Sequence, residues 1–165
     1  MNQSSQLASI VELTQSLVRC PSCSGKDSPV PVIMLMADWL REKGAEVDLL
    51  YSRLDSSLVG MTARHASGNP GRVLCLNACL DTAPVGDETA WSVPAFAAEI
   101  INGRLYGRGA ADSKVGVAIF AHIFMRYVAD ELSLQNGSLH LLFDGDEHSG
   151  SFEGIKSYLR SQAAP

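Results

Sequence analysis

Three short clusters in this sequence carry residue types that do chemistry. Cys79-Leu80-Asp81 sets a thiol beside a carboxylate, and Gly107-Arg108-Gly109-Ala110-Ala111-Asp112-Ser113-Lys114 sets a carboxylate and an amine behind two glycines. Asp144-Gly145-Asp146-Glu147-His148 packs carboxylates and an imidazole into one short run. Placed together, Asp81, Asp112, Asp146 and Glu147 would repel by roughly 1 kcal/mol per pair at 4 Å in water, and by about 4 kcal/mol at an intermediate dielectric. A cation relieves that cost. With Cys79 and His148 beside the carboxylates the donors are sulfur, nitrogen and oxygen, a set that suits zinc better than magnesium or calcium.

Each piece alone has a plainer reading: Asp112 as a helix cap, Asp146 and Glu147 as a solvated turn, His148 as a surface histidine. Gly107-Arg108-Gly109 begins like a dinucleotide-binding turn, but Asp112 stands where the third glycine of G-x-G-x-x-G belongs. Its carboxylate would repel a pyrophosphate, so the nucleotide reading is rejected. Cys20 and Cys23, with Cys75 and Cys79, could form a four-sulfur zinc site. Against this, Cys75 falls in an apolar run where a free thiol behaves as a small hydrophobe. Cys20-Pro21-Ser22-Cys23 leaves a helix instead of opening one, unlike a thioredoxin-type motif. Packing is the preferred role for Cys20, Cys23 and Cys75.

The elements that must position these clusters follow from hydrophobic spacing. Leu7, Ile10, Val11, Leu13, Leu17 and Val18 recur at near-helical period, and Pro21 stops them. A second helix starts with Ser28 as N-cap and Pro29 as its first residue, carries Val32, Ile33, Met36, Trp39 and Leu40, and ends at Gly44. Residues 47–51 and 58–64 read as strands towards an edge of the sheet. Residues 73–78 are almost continuously apolar, the pattern of a strand covered on both faces, and are expected at the centre. A long loop over 82–95 precedes a hairpin over 99–106 that turns at Asn102-Gly103. Asp112 is placed to cap a helix running to about Glu131, apolar nearly all round and therefore buried. Asn136-Gly137 turns into a strand over 139–143, and Ile155, Tyr158 and Leu159 mark a last helix. All three chemical clusters fall at element ends, and in open α/β sheets ligands bind beyond the carboxyl ends of the strands.

The whole chain has 165 residues, 46% of them hydrophobic and 19% charged, which is enough apolar material for one domain without disulfides or a structural metal. Thirteen Lys and Arg against eighteen Asp and Glu give a net charge of -5 with no basic run, which argues against nucleic acid as a partner. The first 18 residues contain no Lys or Arg and so lack a signal-peptide pattern. The apolar stretch from Val115 to Met125 is shorter than the about 20 residues a membrane span requires. A soluble, cytoplasmic protein without membrane contact is the expectation.

Taken in order, the clusters resemble a known family. Leu80-Asp81-Thr82-Ala83-Pro84 comes first, then Trp91, Pro94 and Phe96, then Asn102-Gly103-Arg-Leu-Tyr-Gly-Arg-Gly-Ala-Ala-Asp112-Ser-Lys114, then Phe143-Asp-Gly-Asp-Glu-His-Ser-Gly150. This succession is similar to the co-catalytic zinc family of aminoacylases, acetylornithine deacetylases, succinyl-diaminopimelate desuccinylases and glutamate carboxypeptidases. The resemblance implies an α/β three-layer sandwich, with a central mixed, largely parallel sheet flanked by helices and incomplete at its C-terminal side. It implies Asp112 as the carboxylate bridging two metal ions, Glu147 as general base, and Asp81 as the acid orienting the first ligand. It puts Cys79 where that family has His, and His148 where it has a second Glu. It also implies a cis peptide bond after Asp112.

The implied chemistry is hydrolysis of an amide next to a carboxylate, in N-acyl amino acids or small peptides, by a water bound to zinc, with cobalt or manganese as possible substitutes. Members of this family are considerably longer. Residues 1–165 are therefore expected to be the N-terminal part of the catalytic domain, with further ligands, the remaining strands, and a lid and dimerisation domain beyond Pro165. The full-length protein is expected to be a homodimer through that absent domain. Sharing Asp112, each metal finds two protein ligands here, fewer than the three of a catalytic zinc site, so this chain is expected to bind zinc weakly and turn over little. A degenerate non-enzymatic module and a structural zinc protein are the alternatives.

Overall fold

Along β6 (Ser138–Asp144), Leu139, Leu141 and Phe143 alternate with His140 and Leu142, and all five are buried. A strand covered on both faces belongs in the interior of a sheet. β6 lies there, in a four-stranded sheet of order β1-β2-β6-β3, with β1 at Val47–Tyr51, β2 at Leu58–Ala66 and β3 at Val73–Cys79. The computed structural model describes residues 3–163. β1 pairs with β2 and β2 with β6 in antiparallel fashion, while β3 runs parallel to β6. The sheet is mixed, and its parallel pair carries the site.

Helices α1 (Gln3–Val18), α2 (Val30–Arg41) and α3 (Val115–Val128) share one core with Met61 and Ala63 of β2, Ala78 of β3, and Leu139, Leu141 and Phe143 of β6. Leu17, Ile33, Met36, Leu40 and Phe124 are fully buried in it. Each such side chain contributes about 1.5–3 kcal/mol through water exclusion. The other sheet face is covered by α4 (Glu153–Ala163), where Tyr158 and Ile155 meet Leu50, Cys75 and Leu142. These are the three layers of the expected α/β sandwich. The hairpin β4 (Glu99–Ile101) and β5 (Arg104–Tyr106) turns through Asn102 and Gly103, both at positive φ, as the Asn-Gly pair demands. Among the described residues, no helix is long and apolar enough to cross a membrane.

Four expectations are corrected. Among the described residues β3 lies at the edge of the sheet and not at its centre: β6 occupies the interior, and Val73 and Leu74 are 53% and 61% exposed. An apolar run reports what a strand is suited to be covered by, not whether the cover is present. Asp112 caps no helix. It lies at φ -123°, ψ 94° inside the irregular turn Ala110–Lys114, and α3 starts only after Lys114. α3 is buried through Val117, Ala118, Ala121 and Phe124, yet Ile119 and Ile123 remain 38% exposed beside Trp39 and Lys43, because α1 and the sheet cover only part of its circumference. In α2, Pro29 takes the capping position and Pro31 enters the first turn, while the helix ends at Arg41. Gly44, at φ +90°, completes the closing turn.

The cysteines are free and packed in different places. Cys20 lies against the main core, Cys23 joins Val85 and Ala95 under the 82–95 loop, and Cys75 faces Tyr158 and Leu142. That separation argues against a common four-sulfur site.

Candidate active site

The parallel pairing sets Cys79 of β3 against Asp144 of β6, so the two strands end side by side. The chain leaving β3 through Leu80 and Asp81 then runs next to the chain leaving β6 through Gly145 to His148, and Leu80 N donates to Asp144 O at 2.6 Å. Asp81 is 1% exposed. Its Oδ1 accepts from Glu147 N at 3.3 Å and its Oδ2 from His148 N at 2.8 Å. The carboxylate is a buried peg holding the backbone of the next loop. Burial pushes the Asp81 carboxyl up, while the His148 backbone N–H and imidazole work in the opposite direction. The resemblance gave Asp81 the task of orienting Cys79; its direct hydrogen bonds run to the 147–148 loop.

The segment after α1 closes the site from beneath. Ser22 Oγ donates to Leu80 O at 2.7 Å, and Thr82 N donates to Ser22 O at 2.9 Å. The Asp112 turn is fixed at both ends. Ser113 Oγ accepts from Cys79 N at 2.8 Å and donates to Cys79 O at 3.3 Å, which ties the turn to the end of β3. The peptide bond between Asp112 and Ser113 is cis, as the resemblance implies. Gly109 stands at φ +81° with a Cβ position only 2.5 Å from Thr82 Cγ2, so only glycine fits there. Lys114 is fully buried below, and its Nζ donates to Leu17 O and Cys20 O, both at 2.9 Å. Burial pushes this ammonium down to about 8.

These devices gather four of the five sequence-derived site residues around one imidazole. His148 Nδ1 lies 3.0 Å from Glu147 Oε2 and 3.5 Å from Asp81 Oδ2, and Nε2 lies 3.8 Å from Asp112 Oδ2. The His148 side chain is 14% exposed whereas that of Asp112 is 84% exposed, so the rim opens to solvent on the Asp112 side. Nδ1 is buried between the Glu147 and Asp81 carboxylates without an aligned hydrogen bond to either, which leaves Nε2 as the ring nitrogen that faces Asp112. Cys79 sits half-buried at the end of β3, and its thiol is pushed up to about 12 by burial first and then by Glu147 and Asp81.

Two ligands of one zinc ion at bonds of about 2.1 Å stand about 3.4 Å apart at the tetrahedral angle. The 3.8 Å between His148 Nε2 and Asp112 Oδ2 is near that spacing. Among the described residues no group of three or more His, Cys, Asp or Glu side chains converges closely enough to hold a metal ion. The donor chemistry fits a metal; the donor count amounts to half a site.

Asp146, grouped with the others by residue type, is turned to another task. Its Oδ2 accepts from Glu153 N at 2.9 Å and from the Ser151 hydroxyl, and its Oδ1 accepts from Gly154 N at 3.2 Å. Asp144 Oδ2 accepts from Ile155 N at 3.0 Å. The two carboxylates thus take up the free N–H groups of the first turn of α4, which suits the positive end of a helix. Burial pushes Asp144 up; for Asp146, burial is outweighed by hydrogen bonds from Asp144, Ser151, Glu153 and Gly154, which hold it below the usual range. Ser22, Ser113 and Asp144 were missed as positioning residues. The only signal was Asp-x-Asp ahead of an apolar helical pattern, a spacing that also suits capping.

The site thus lies beyond the ends of a parallel strand pair, in a mixed sheet covered by helices on both faces. The chain matches the model of Peptidase family M20/M25/M40 over residues 75–164 and belongs to that family. It is 34% identical over 158 residues to a succinyl-diaminopimelate desuccinylase of Parvibaculum lavamentivorans, covering 93% of this chain and 38% of that protein. A desuccinylase of Rhodospirillum centenum is 34% identical over 165 residues, with 93% and 39% covered. The chain therefore spans well under half the length of these relatives. Among solved structures, the M20 family metallo-carboxypeptidase Sso-CP2 from Sulfolobus solfataricus superposes with a TM-score of 0.76 at 22% identity, over 98% of this chain and 35% of that one. Human carnosine dipeptidase 1 does so with a TM-score of 0.77 at 20% identity, over 96% and 36%. These likenesses establish the fold.

Proposed function

We propose that residues 1–165 form the N-terminal part of the catalytic domain of a metal-dependent hydrolase that cleaves amide bonds of N-acyl amino acids or small peptides. The single observation that carries this reading is the convergence of Asp112, Glu147 and His148 over the buried Asp81 carboxylate. Asp112 and His148 are the residues that would hold metal, with Cys79 as a further candidate donor. Zinc bound there supplies a Lewis acid that polarises the scissile carbonyl and acidifies water. Glu147, at the rim, takes a proton from the attacking water and passes it to the leaving amine. Asp81 holds the 147–148 backbone, so that the base and the imidazole keep their relative positions. The desuccinylase relatives make N-succinyl amino acids the first substrates to try.

A catalytically silent module that retains the fold is the second reading. It is favoured by Cys79, which stands where the resemblance places a His ligand. With two donors per ion, turnover by this chain should fall at least a thousandfold below an ordinary enzyme's roughly 10 per second. The test is hydrolysis of N-succinyl and N-acetyl amino acids with zinc or cobalt supplied. Chelator-sensitive turnover near 1 per second, lost in Glu147→Gln, would show that the chain holds a complete site and overturn this account of its incompleteness.

A further inference from the structure

Among the described residues no hydrogen bond holds the Asp112 carboxylate; its charged neighbour, His148 Nε2, stands 3.8 Å away. The place of that carboxylate is therefore set by its backbone. Asp112 lies at φ -123°, ψ 94° and Ser113 at φ -133°, ψ 29°, both outside helical values, within the turn Ala110–Lys114. The main-chain bonds that span this turn, from Lys114 N to Gly109 O at 3.0 Å and from Val115 N to Ala110 O, close it from outside. They leave Asp112 and Ser113 between them.

The Ser113 side chain restrains this middle part. Its Oγ accepts from Cys79 N at 2.8 Å and donates to Cys79 O at 3.3 Å. One hydroxyl thus meets both main-chain groups of a single residue, as a paired strand would, and a pivot about either bond breaks the other. Lys114 is anchored elsewhere, on Leu17 O and Cys20 O beneath the site. The hydrogen bonds between the turn and β3 come from Ser113. Cys79 in turn is registered against Asp144 of β6, and Leu80 N donates to Asp144 O at 2.6 Å. From Asp144 the chain runs on to Glu147 and His148, so the hydroxyl joins the turn that carries Asp112 to the strand ends that carry His148. These contacts are internal: Cys79 and Ser113 are half-buried and Asp144 is buried.

We propose that Ser113 is a positioning residue, whose hydroxyl, clamped on the Cys79 main chain, holds the Asp112 carboxylate opposite His148 at the spacing a shared metal ion requires. The proposal rests on the reading of Asp112 and His148 as metal donors given above. Alanine at this position keeps the main-chain bonds that close the turn and removes the link to β3. The carboxylate is then spread over several positions, and groups that hold a metal donor in place typically contribute about 10–100-fold to metal affinity.

Cobalt titration and backbone amide relaxation by NMR, both on the 165-residue chain, test this together. Ser113→Ala is expected to weaken cobalt binding at least tenfold, with a melting temperature within about 4 °C of wild type. A hydroxyl that served only the fold would lower the melting temperature and leave cobalt affinity alone. Ser113→Thr keeps the hydroxyl and should restore affinity to within about threefold of wild type, whereas Ser113→Val, of equal volume, should not. That pair decides the outcome if the alanine variant does not fold. Without metal, the order parameters of the Asp112 and Ser113 amides should fall from about 0.85 towards 0.6 in the alanine and valine variants. Wild type that binds no cobalt, with this fall still present, would refute the metal reading and support the clamp. Unchanged order parameters, cobalt bound as tightly by the alanine and valine variants as by wild type, or a threonine variant no better than the valine one would overturn the proposal.

Discussion

Lys114→Met is expected to lower the stability of the chain by about 3 kcal/mol, because two buried carbonyls lose a charged donor at once. The Lys114 side chain is fully buried, and its ammonium bridges Leu17 O in the last turn of α1 to Cys20 O in the turn that follows. Methionine fills much the same volume, so the loss is electrostatic and not a cavity. The replaced ammonium also faced the negative end of α1, where a cation is favoured. Thermal unfolding checks this: for a domain of this size 1 kcal/mol corresponds to roughly 2–4 °C, so a fall of about 6–12 °C is expected. A melting temperature within about 2 °C of wild type would mean that the carbonyls find water or other donors and that Lys114 is not what secures the 20–24 segment beneath the site.

Asp81→Ala is expected to cost about 2–4 kcal/mol, and to dismantle the site before it unfolds the protein. It strips the acceptors from Glu147 N and His148 N, two half-buried N–H groups, and an N–H left unpaired away from water costs about 1–3 kcal/mol. Removing a desolvated carboxylate returns part of that cost, because burial had already pushed its carboxyl up. Hydrogen exchange separates the local effect from the global one. The amides of Glu147 and His148 should lose protection well beyond the general destabilisation, while those of Leu139 and Leu141 in β6 follow it. Equal loss at all four would mean that Asp81 supports the fold generally and does not hold this loop in particular.

Much of this was legible in the residues. Hydrophobic period located every main helix and strand, and the Asn102-Gly103 pair specified its hairpin. The ordered clusters pointed to Asp81, Asp112, Glu147 and His148, and the fold brings these four together beyond the ends of β3 and β6. The place of β3 was not legible: Val73 to Ala78 is apolar enough for a central strand, and its exposure depends on which strands flank it. Nor was the division of labour among the carboxylates. Asp146 and Glu147 are adjacent in sequence, yet one accepts from the first turn of α4 and the other faces His148. That outcome depends on the direction in which the loop leaves β6, which side-chain chemistry alone does not determine. The roles of Ser113 and Lys114 likewise required the path of the chain between α1 and the end of β3.

On the proposed reading, Asp112 and His148 face one ion position beyond the β3 and β6 ends, with Glu147 alongside. Cobalt titration followed by its visible absorption tests it most directly, since band position and intensity report the donors and their geometry. Weak binding through oxygen and nitrogen is expected, reduced at least tenfold by Asp112→Ala and by His148→Ala alike, weakened by Cys79→Ala only if the thiol joins the site, and unchanged by Cys20→Ala. Binding that survives loss of both Asp112 and His148, or that disappears with Cys20, would contradict it.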